Sequence, residues 1–404
     1  MSKTLIIALS SFVAFAVYNA AAQASGVREL PEAPGKTLIE TKCTSCHSIG
    51  TIARAAGYSS EEQWLHLIST MIELPEDEAK VVATYLSEHV PEDVSRRPTL
   101  VAGDTAIEIK EWITPTLGQR TRDPIEAPDG SIWWTGMWAS LAGRLDPETG
   151  EMKEYPLPPT ARPHSILPDA DGNIWYTGNS NATIGKLDPA TGEVKEYATE
   201  AGDPHTAVFH PNGKLYFTAQ RAGMLGRLDP ESGQLTEIET RARPYGIKVG
   251  PDGSLWVAYN GTNALSKMDP DSMEVTYFDV PDERTRIRRL DLDSKGMVWF
   301  VNSSLGKVGR LDPSTGEIKQ WDSPSGEKSH PYSLAVIDDA VWYNESAMRP
   351  DALVRFDPAT ETFQSWAIPS GVGIIRHTWV TRTGDLLIHQ TSSNRVGVVK
   401  ILEQ

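Results

Sequence analysis

The chain has 404 residues, of which 39% are hydrophobic and 23% are charged, and its formal net charge at pH 7 is −16. This acidic excess opposes binding to nucleic-acid phosphates and docking on anionic lipid, and it favours a basic protein partner. Beyond the N-terminal segment no apolar run is long enough to span a bilayer, so we expect a globular protein with no membrane span after signal cleavage.

The N-terminal segment has the features of a secretory signal peptide. Lys3 supplies a positive charge, residues 5–17 are apolar, and the Ala-Gln-Ala of residues 22–24 is typical of a cleavage site. We therefore predict that residues 1–24 are a signal peptide and that the mature protein is periplasmic. A retained membrane anchor is the alternative, which the short apolar run disfavours.

Both cysteines of the chain lie in the sequence Cys-Thr-Ser-Cys-His at residues 43–47. Cys-X-X-Cys-His is the attachment signature of c-type haem. Cys43 and Cys46 would bond covalently to the haem, and His47 would ligate its iron. A redox dithiol or half of a zinc site is the alternative, but the chain has no second cysteine pair and no βαβ pattern around the motif.

Residues 34–92 are predicted to form a small all-α cytochrome c-like domain around this haem. A helix begins at Ser60, which forms a capping box with Gln63, and a second helix begins at Pro75 with acidic residues in its first turn. Apolar residues recur at helical spacing in both helices, namely Trp64, Leu67, Ile68 and Met71 in the first and Val81, Val82, Tyr85 and Leu86 in the second. We expect these faces to contact the haem.

Three residues compete for the sixth position on the iron: Met71, His66 and His89. Met71 is favoured because its thioether lies on the predicted apolar face, although ordinary packing in the core is the alternative. The segment resembles the haem domains of the c-type cytochrome superfamily, in particular those fused to propeller proteins such as quinohaemoprotein amine dehydrogenases. This resemblance implies that Met71 is the distal ligand.

After a polar linker at residues 93–103, the chain repeats with a period that is typical of a β-propeller. Asp-Pro recurs with Asp at 146, 188, 229, 269, 312 and 357, in steps of 42, 41, 40, 43 and 45 residues. Each unit also contains a short aromatic and β-branched run, which favours strands over helices. The Asp-Pro segments satisfy turn geometry without a metal ion. Residues 104–404 are therefore predicted to form an all-β propeller.

The repeat predicts seven blades that are closed by strands from both ends of the propeller. Six units carry the Asp-Pro turn, and a seventh, from His377 to Lys400, has three predicted strands. Residues 107–112 are similar in sequence to residues 193–197, which close the second unit. We predict that they supply the missing outer strand of the last blade.

One polar position recurs eleven residues before the aromatic run of the units. It should lie at the start of each innermost strand, where the blades meet at the central channel. We predict a substrate-binding set of Arg122, His164, His205, Tyr245, Arg288 and, when a one-residue slip is allowed, Tyr332; the same slip puts His377 at this position in the last blade. A hydrogen-bonded ring that only plugs the channel is the alternative; a site for an anionic or carbonyl-bearing small molecule is the prediction.

The pattern of residues 163–188 resembles the seven-bladed streptogramin B lyase (virginiamycin B lyase) family over essentially the whole propeller. That family opens a cyclic depsipeptide lactone by magnesium-assisted elimination, and the resemblance implies His377 as a catalytic base. Its Glu-Pro-His element matches residues 375–377 here, so the histidine is kept and the glutamate is not. His330 and Glu345, with His389 and Gln390, are predicted to rebuild a site that holds Mg²⁺ near the axis.

Three functions follow from these observations. The leading hypothesis is a periplasmic haem c protein with electron transfer activity, whose propeller binds a substrate or a redox partner protein. The second is a carbon–oxygen lyase that opens a cyclic ester by metal-assisted elimination. The third is a non-catalytic scaffold that docks a redox partner.

Overall fold

The computed structural model describes residues 30–46, 48–53, 58, 60–371 and 373–402. The chain divides into two compact units, Met1–Ser95 and Arg96–Gln404. The predicted signal peptide and the predicted iron ligand His47 lie outside the described residues. Within the described residues, we find no helix with the length and apolar composition that a membrane crossing requires.

The first unit is helical in its described residues. It contains α1 (Lys36–Lys42), α2 (Ile49–Ala53), α3 (Glu61–Ser69) and α4 (Glu76–His89), with a 3₁₀ turn at Cys43–Ser45. The predicted capping box is confirmed, because the Gln63 backbone N–H donates to Ser60 Oγ and the Ser60 N–H donates to Gln63 Oε1. A short helical N-terminal region is therefore established, while its assignment as a cytochrome c domain stays a prediction.

Two details of the helical faces differ from the sequence prediction. Helix α3 ends at Ser69, so Met71 lies in the following turn and is only half-buried, with its N–H donating to the Ile68 carbonyl. On α4, Val81 is exposed, whereas Val82 and Tyr85 are buried. The spacing thus predicted the buried stripes but extended each of them by one residue.

The second unit is a seven-bladed β-propeller, as the repeat predicts. Its strands are β1 (Ala106–Ile113), β2 (Thr121–Glu126), β3 (Ile132–Gly136), β4 (Leu141–Leu145), β5 (Met152–Pro156), β6 (Pro163–Pro168), β7 (Ile174–Gly178), β8 (Thr183–Leu187), β9 (Val194–Ala198), β10 (Pro204–Phe209), β11 (Leu215–Ala219), β12 (Met224–Leu228), β13 (Leu235–Glu239), β14 (Pro244–Val249), β15 (Leu255–Tyr259), β16 (Ala264–Met268), β17 (Val275–Asp279), β18 (Ile287–Leu292), β19 (Val298–Asn302), β20 (Lys307–Leu311), β21 (Ile318–Asp322), β22 (Pro331–Ile337), β23 (Ala340–Glu345), β24 (Ala352–Asp357), β25 (Thr362–Ala367), β26 (Trp379–Val380), β27 (Leu386–Gln390) and β28 (Arg395–Leu402). In the described residues these strands form seven antiparallel sheets of four strands each. Six sheets follow chain order, from β2–β5 to β22–β25.

The seventh blade joins the two ends of the propeller, which confirms the predicted closure. Its strand order is β1-β28-β27-β26, so β1 is the outer strand next to the C-terminal strand. The pairing runs without a break from Ala106 opposite Leu402 to Ile113 opposite Arg395. Closure of this kind leaves only short edges and fixes the position of every blade around the axis.

The Asp-Pro turns between the third and fourth strands are held by backbone hydrogen bonds. Asp146 Oδ1 accepts from the N–H groups of Glu148 and Thr149 at 2.9 and 3.1 Å. Asp229 accepts from residues 231 and 232 in the same way. Each carboxylate thus has the local hydrogen-bond partners that a turn needs.

A glycine on the third strand makes room for the aromatic side chain of the second strand in four blades. Phe217 faces Gly226 across β11 and β12, and Tyr176 faces Gly185 across β7 and β8. A methyl group on Gly226 would lie 2.0 Å from Phe217 Cζ. The glycine in the Leu-Gly-Arg-Leu and Ile-Gly-Lys-Leu repeats is therefore a packing requirement of the blade.

We expect Gly226→Ala to lower the free energy of unfolding by about 2 kcal/mol, since overpacked cores lose roughly 1–3 kcal/mol. Gly202→Ala is the matched control, because no described residue other than its two chain neighbours has an atom within 4 Å of a methyl group there. Denaturant unfolding of both variants measures the difference. Equal stability of the two variants would show that the blade accommodates the added methyl group.

Candidate functional site

The innermost strands contain a β-bulge that brings consecutive side chains to the propeller axis. In β2 the pairing with β3 shifts between Arg122 and Ile125. The five innermost strands β6, β10, β14, β18 and β22 shift at the equivalent place. Both Arg122 and Asp123 consequently contact His164, because a bulge re-aims the side chains that it contains.

The first residue of each bulge lines a pocket of about 250 Å³, which we call the axial pocket. Its lining comprises Arg122, Met137, His164, Asn179, Asp203, His205, Gln220, Arg221, Tyr245, Arg288, Tyr332 and Arg376. All six residues of the predicted substrate-binding set are among them. His377 is not, and Arg376 takes its place in the lining.

Aromatic rings and imidazoles form one continuous arc of the axial pocket. The ring centroids of His164 and His205 lie 3.6 Å apart, and those of His205 and Tyr245 lie 4.2 Å apart. Tyr245 then contacts Tyr332 edge-on, with a hydrogen bond between the two phenol oxygens. Burial and neighbouring cationic groups lower the pKa of His164 and of His205, so both imidazoles are neutral at pH 7.

Arginine side chains also line the axial pocket, and two of them lie close to the Tyr332 hydroxyl. Arg376 Nη1 donates to Tyr332 Oη at 3.0 Å, and Arg288 Nη1 lies at 3.5 Å. Arg122 Nη1 donates to His164 Nε2 at 2.9 Å. Within the described chain, none of these three guanidinium groups forms an ion pair with a carboxylate. The pocket is therefore cationic in a protein of net charge −16.

The arginines change the acidity of the tyrosine that they contact. Burial alone would raise the pKa of Tyr332, but Arg376, Arg288 and Arg122 outweigh this effect and lower it to about 7. Burial and the neighbouring Tyr332 raise the pKa of Tyr245. The two phenols are hydrogen-bonded to each other, so they titrate as a pair whose first ionisation the arginines favour.

A second tier of polar residues lies behind the axial pocket, centred on Asp123. Its Oδ2 lies 3.2 Å from His377 Nδ1, 3.7 Å from His164 Nδ1 and 3.8 Å from Arg289 Nη2. Burial opposes the ionisation of Asp123, yet His377 and Arg289 hold its pKa below the ordinary value. The sequence prediction missed Asp123 and Arg289, which directly follow the predicted Arg122 and Arg288.

His377 belongs to this second tier and is 3% exposed. Its Nδ1 faces Asp123, although the contact departs from the geometry of a good hydrogen bond. Burial and the nearby Arg289 lower the pKa of His377 to about 4, which makes the imidazole a weak base. The one-residue offset between Arg376 and His377 therefore separates the predicted base from the lining of the axial pocket.

The two other predicted catalytic residues are hydrogen-bonded to serines. Glu345 is the last residue of β23, and His330 directly precedes β22. Glu345 is fully buried, and its Oε1 accepts from Ser323 Oγ at 2.6 Å and from the Ser325 N–H at 2.8 Å. His330 Nδ1 lies 2.8 Å from Ser346 Oγ, which donates its own proton to the His330 carbonyl. Neither His330 nor Glu345 is part of the pocket lining.

His389 and Gln390 lie on β27, where both are fully buried. His389 Nε2 accepts from the Arg376 backbone N–H at 3.3 Å, so His389 supports the chain that carries Arg376. The sequence offered one signal for Arg376 that the prediction did not use. Arg376 follows Ile375 as Arg288 follows Ile287, and this places the arginine rather than His377 at the recurring position.

The donor set at the axis does not fit Mg²⁺, which prefers several oxygen ligands in octahedral geometry. The groups that converge there are mainly guanidinium, imidazole and phenol; the one carboxylate of the lining, Asp203, is paired with Arg221, and the carboxylate of Glu345 is held by serines. No group of three His, Cys, Asp or Glu side chains is arranged to hold a metal ion in the described part of the chain. We derive no step through Mg²⁺.

The helical unit contains features that fit a covalently attached haem. Cys43 is half-buried and Cys46 is exposed, and each has a free thiol. Burial, followed by the adjacent Cys46, raises the pKa of Cys43. The indole N–H of buried Trp64 has no hydrogen-bond acceptor among the described residues, and a haem propionate would supply one. Cys43 and Cys46 would hold the haem covalently, and Met71 would be a candidate to ligate its iron.

The fold and the site define a seven-bladed β-propeller with a cationic pocket on its axis. The sequence model described as the Virginiamycin B lyase family matches residues 103–356 and 234–402, which is more than half of the chain. The chain therefore belongs to the Virginiamycin B lyase family. No curated protein sequence matches it at a significant level.

Solved structures share the propeller fold. A streptogramin B lyase has a TM-score of 0.66 and 21% identity, covering 73% of this chain and 98% of the other. A catalytically inactive virginiamycin B lyase from Staphylococcus aureus with quinupristin gives 0.65 and 22%, covering 74% and 100%. Hydrazine synthase from Kuenenia stuttgartiensis gives 0.60 and 14%, covering 71% and 96%. At such identities the similarity shows the fold alone.

The depressed pKa of His330 predicts that acid destabilises the propeller. Burial, with Arg288 and Arg376 nearby, lowers this pKa to about 4, below the ordinary value of about 6.5. Between these pH values the unfolded chain binds a proton that the folded chain does not. The stabilisation is therefore complete above about pH 6.5 and is lost as the pH falls towards 4.

We expect His330→Asn to reduce this acid-dependent loss by on the order of 2 kcal/mol, allowing for the partial exposure of the imidazole. Asparagine tolerates the left-handed backbone at this position, where φ is 52°. Denaturant unfolding at a series of pH values measures the effect, with the exposed His66→Asn as the control. The same pH dependence in His330→Asn and the unmodified protein would contradict the assignment.

Proposed function

We propose that the axial pocket opens a cyclic ester by elimination, as a carbon–oxygen lyase. The observation that carries this proposal is the convergence of Arg122, Arg288 and Arg376 on one pocket, where no carboxylate of the described residues forms an ion pair with them. Guanidinium groups bind carboxylates and developing oxyanions through charge-assisted hydrogen bonds. Membership of the Virginiamycin B lyase family supports the same reaction class.

The proposed reaction matches the charge of the axial pocket at each stage. A base removes the proton next to a carbonyl, and the electron pair of the C–H bond forms a carbon–carbon double bond. The bond between the β-carbon and the ester oxygen breaks, and a carboxylate leaves. Negative charge therefore develops first on the carbonyl oxygen and then on the carboxylate, and the arginines can hold both.

Incubation with quinupristin and with simpler cyclic esters, followed by mass spectrometry, tests the reaction. Elimination opens the ring without changing the mass and creates a new double bond, whereas hydrolysis adds the mass of one water. A product heavier by one water, or no product with any cyclic ester, would contradict the proposal. A tight protein ligand at the pocket without turnover would favour the docking scaffold instead.

Removal of one cationic group should weaken the reaction without unfolding the blade. We expect Arg288→Gln to lower kcat/KM by roughly 100-fold, as the loss of one oxyanion donor does in other enzymes. Arg310→Gln is the matched control, since Arg310 lies on β20 of the same blade, outside the axial pocket. Equal activity of the two variants would contradict a role for the cationic pocket.

We propose as a second function that the helical unit carries covalent haem c. In the periplasm it would transfer electrons to a basic redox partner protein. The motif at residues 43–47 and the unpartnered indole N–H of Trp64 in the described residues support this. Haem iron, when bound, takes up and releases one electron. The protein would exclude water with Leu67 and Val82, which are buried.

Expression in a periplasm that attaches c-type haem tests this function. The haem should stay on the protein after denaturation. It should be absent from the double variant with Cys43→Ala and Cys46→Ala. Met71→Ala should keep the haem but lose the sulfur-to-iron absorption band, with His66→Ala as the control. Apoprotein after such expression would contradict the haem assignment, and an unchanged band in Met71→Ala would contradict the axial ligand.

A further inference from the structure

We propose that Asp351, a buried residue of the sixth blade, is a positioning residue that fixes Arg376 of the seventh blade in the axial pocket. This inference rests on the proposed elimination, for which Arg376 is one of the three cationic groups. Asp351 is not part of the pocket lining, so it acts on the reaction only through the chain that carries Arg376.

Arg376 lacks the strand pairing that holds the equivalent residues of the other blades. In each of those blades the residue before the pocket-lining one pairs with the last residue of the second strand, as Pro163 does with Gly178. In the seventh blade the innermost strand β26 covers only Trp379–Val380, and no strand pairing of the described residues reaches Arg376. The position of Arg376 therefore needs another anchor.

The carboxyl group of Asp351 supplies this anchor. Its Oδ2 accepts from the Ile374 N–H at 2.9 Å and from the Ile375 N–H at 3.3 Å, and these are the two residues before Arg376. The N–H of Arg376 itself donates to His389 Nε2 at 3.3 Å. Consecutive backbone N–H groups are thus bound by side chains, where the other blades use a neighbouring strand.

The backbone just before Arg376 is strained, and the hydrogen bonds from Asp351 hold it in that conformation. Ile374 has a φ of 99°, in the left-handed region that β-branched residues rarely adopt. Such a conformation persists only where the surrounding structure enforces it, and it is found preferentially at functional sites. Without Asp351 the chain would relax at Ile374, and the guanidinium group of Arg376 would move with it.

Asp351 is itself fixed within the sixth blade. It is fully buried, its N–H donates to the Gly371 carbonyl, and its carbonyl accepts from the Ile368 N–H. Its Oδ1 lies 3.3 Å from Arg349 Nη1. Burial raises the pKa of Asp351 to about 7, against the effect of Arg349. A protonated carboxyl group keeps an acceptor oxygen, so the anchor does not require the charge.

The position of Arg376 matters because its guanidinium group has one defined place in the axial pocket. Its Nη1 donates to Tyr332 Oη at 3.0 Å. In the proposed elimination it meets negative charge that develops only as the reaction proceeds. Misplacement of Arg376 should therefore lower kcat more than it raises KM. A misplacement of about 1 Å can lower a rate by on the order of 100-fold.

Hydrogen–deuterium exchange of the full-length protein tests the anchor without any substrate. In the unmodified protein we expect the amides of Ile374 and Ile375 to exchange slowly, although no strand of the described chain pairs with them. Asp351→Ala should accelerate their exchange by about 10-fold or more, because both amides lose their acceptor. Fast exchange in the unmodified protein, or the same slow exchange in Asp351→Ala, would overturn the proposal.

Asp293→Ala is the matched control variant. Asp293 is 7% exposed, and its Oδ1 accepts from the N–H groups of Lys295 and Met297 at 3.0 and 2.9 Å in the fifth blade. Its loss should accelerate the exchange of those two amides. The exchange of residues 374 and 375 should stay at the rate of the unmodified protein.

Steady-state kinetics on a cyclic ester distinguish positioning from a general loss of structure. Asp351→Ala should lower kcat by roughly 100-fold with a smaller change in KM, whereas Asp293→Ala should keep the kcat of the unmodified protein. Asp351→Asn should restore most of the loss, because the amide oxygen still accepts. In an Arg376→Gln background, Asp351→Ala should lower kcat no further, since the two residues act as one unit.

The outcomes separate this inference from the function on which it rests. Additive losses in the double variant overturn the action through Arg376, and an Asp351→Asn variant as slow as Asp351→Ala overturns the acceptor role. Circular dichroism checks folding; if Asp351→Ala is unfolded, the exchange rates of the unmodified protein and of Asp351→Asn decide. A protein without activity on any cyclic ester overturns the lyase function, and the exchange data then decide whether Asp351 anchors Arg376.

Discussion

The pairing of β1 with β28 is the constraint on which the propeller site depends. This ladder connects residues almost 300 positions apart in the chain, from Ala106 opposite Leu402 to Ile113 opposite Arg395. It closes the ring, and closure gives the blades a common axis. A pocket built from one side chain per blade requires such an axis, because each blade contributes a group that could not form a site alone.

The bulges of the innermost strands place polar side chains around this axis in two tiers. The first residue of a bulge lines the axial pocket, as Arg122 does, and the second, such as Asp123, lies behind it. Buried charges need partners. In the second tier the carboxylate of Asp123 faces the guanidinium group of Arg289 at 3.8 Å, whereas Arg122, Arg288 and Arg376 of the first tier form no ion pair with a carboxylate of the described residues. The uncompensated tier is the one that a ligand can reach.

Sequence reasoning predicted the propeller because its signals are local and repeated, such as the turn at Asp146 and the glycine opposite Phe217. The same repeat brought the six predicted binding residues to one pocket. It placed His377 rather than Arg376 at the recurring position, because strand β26 is only Trp379–Val380 and does not include that position. Asp123 was missed because a bulge depends on cross-strand pairing, which a single strand does not reveal.

The contrast between an acidic protein and a cationic pocket has a consequence for the proposed elimination. Screening limits the field of surface charges to about 8 Å at physiological ionic strength. A neutral cyclic ester would therefore approach without repulsion and meet the arginines only inside the pocket. Its carboxylate product would be held there by Arg122 and Arg288 and, once outside, would enter the field of a protein of net charge −16. The charge distribution thus does not oppose entry of a neutral substrate, binds the anionic product inside the pocket and opposes its return once it has left.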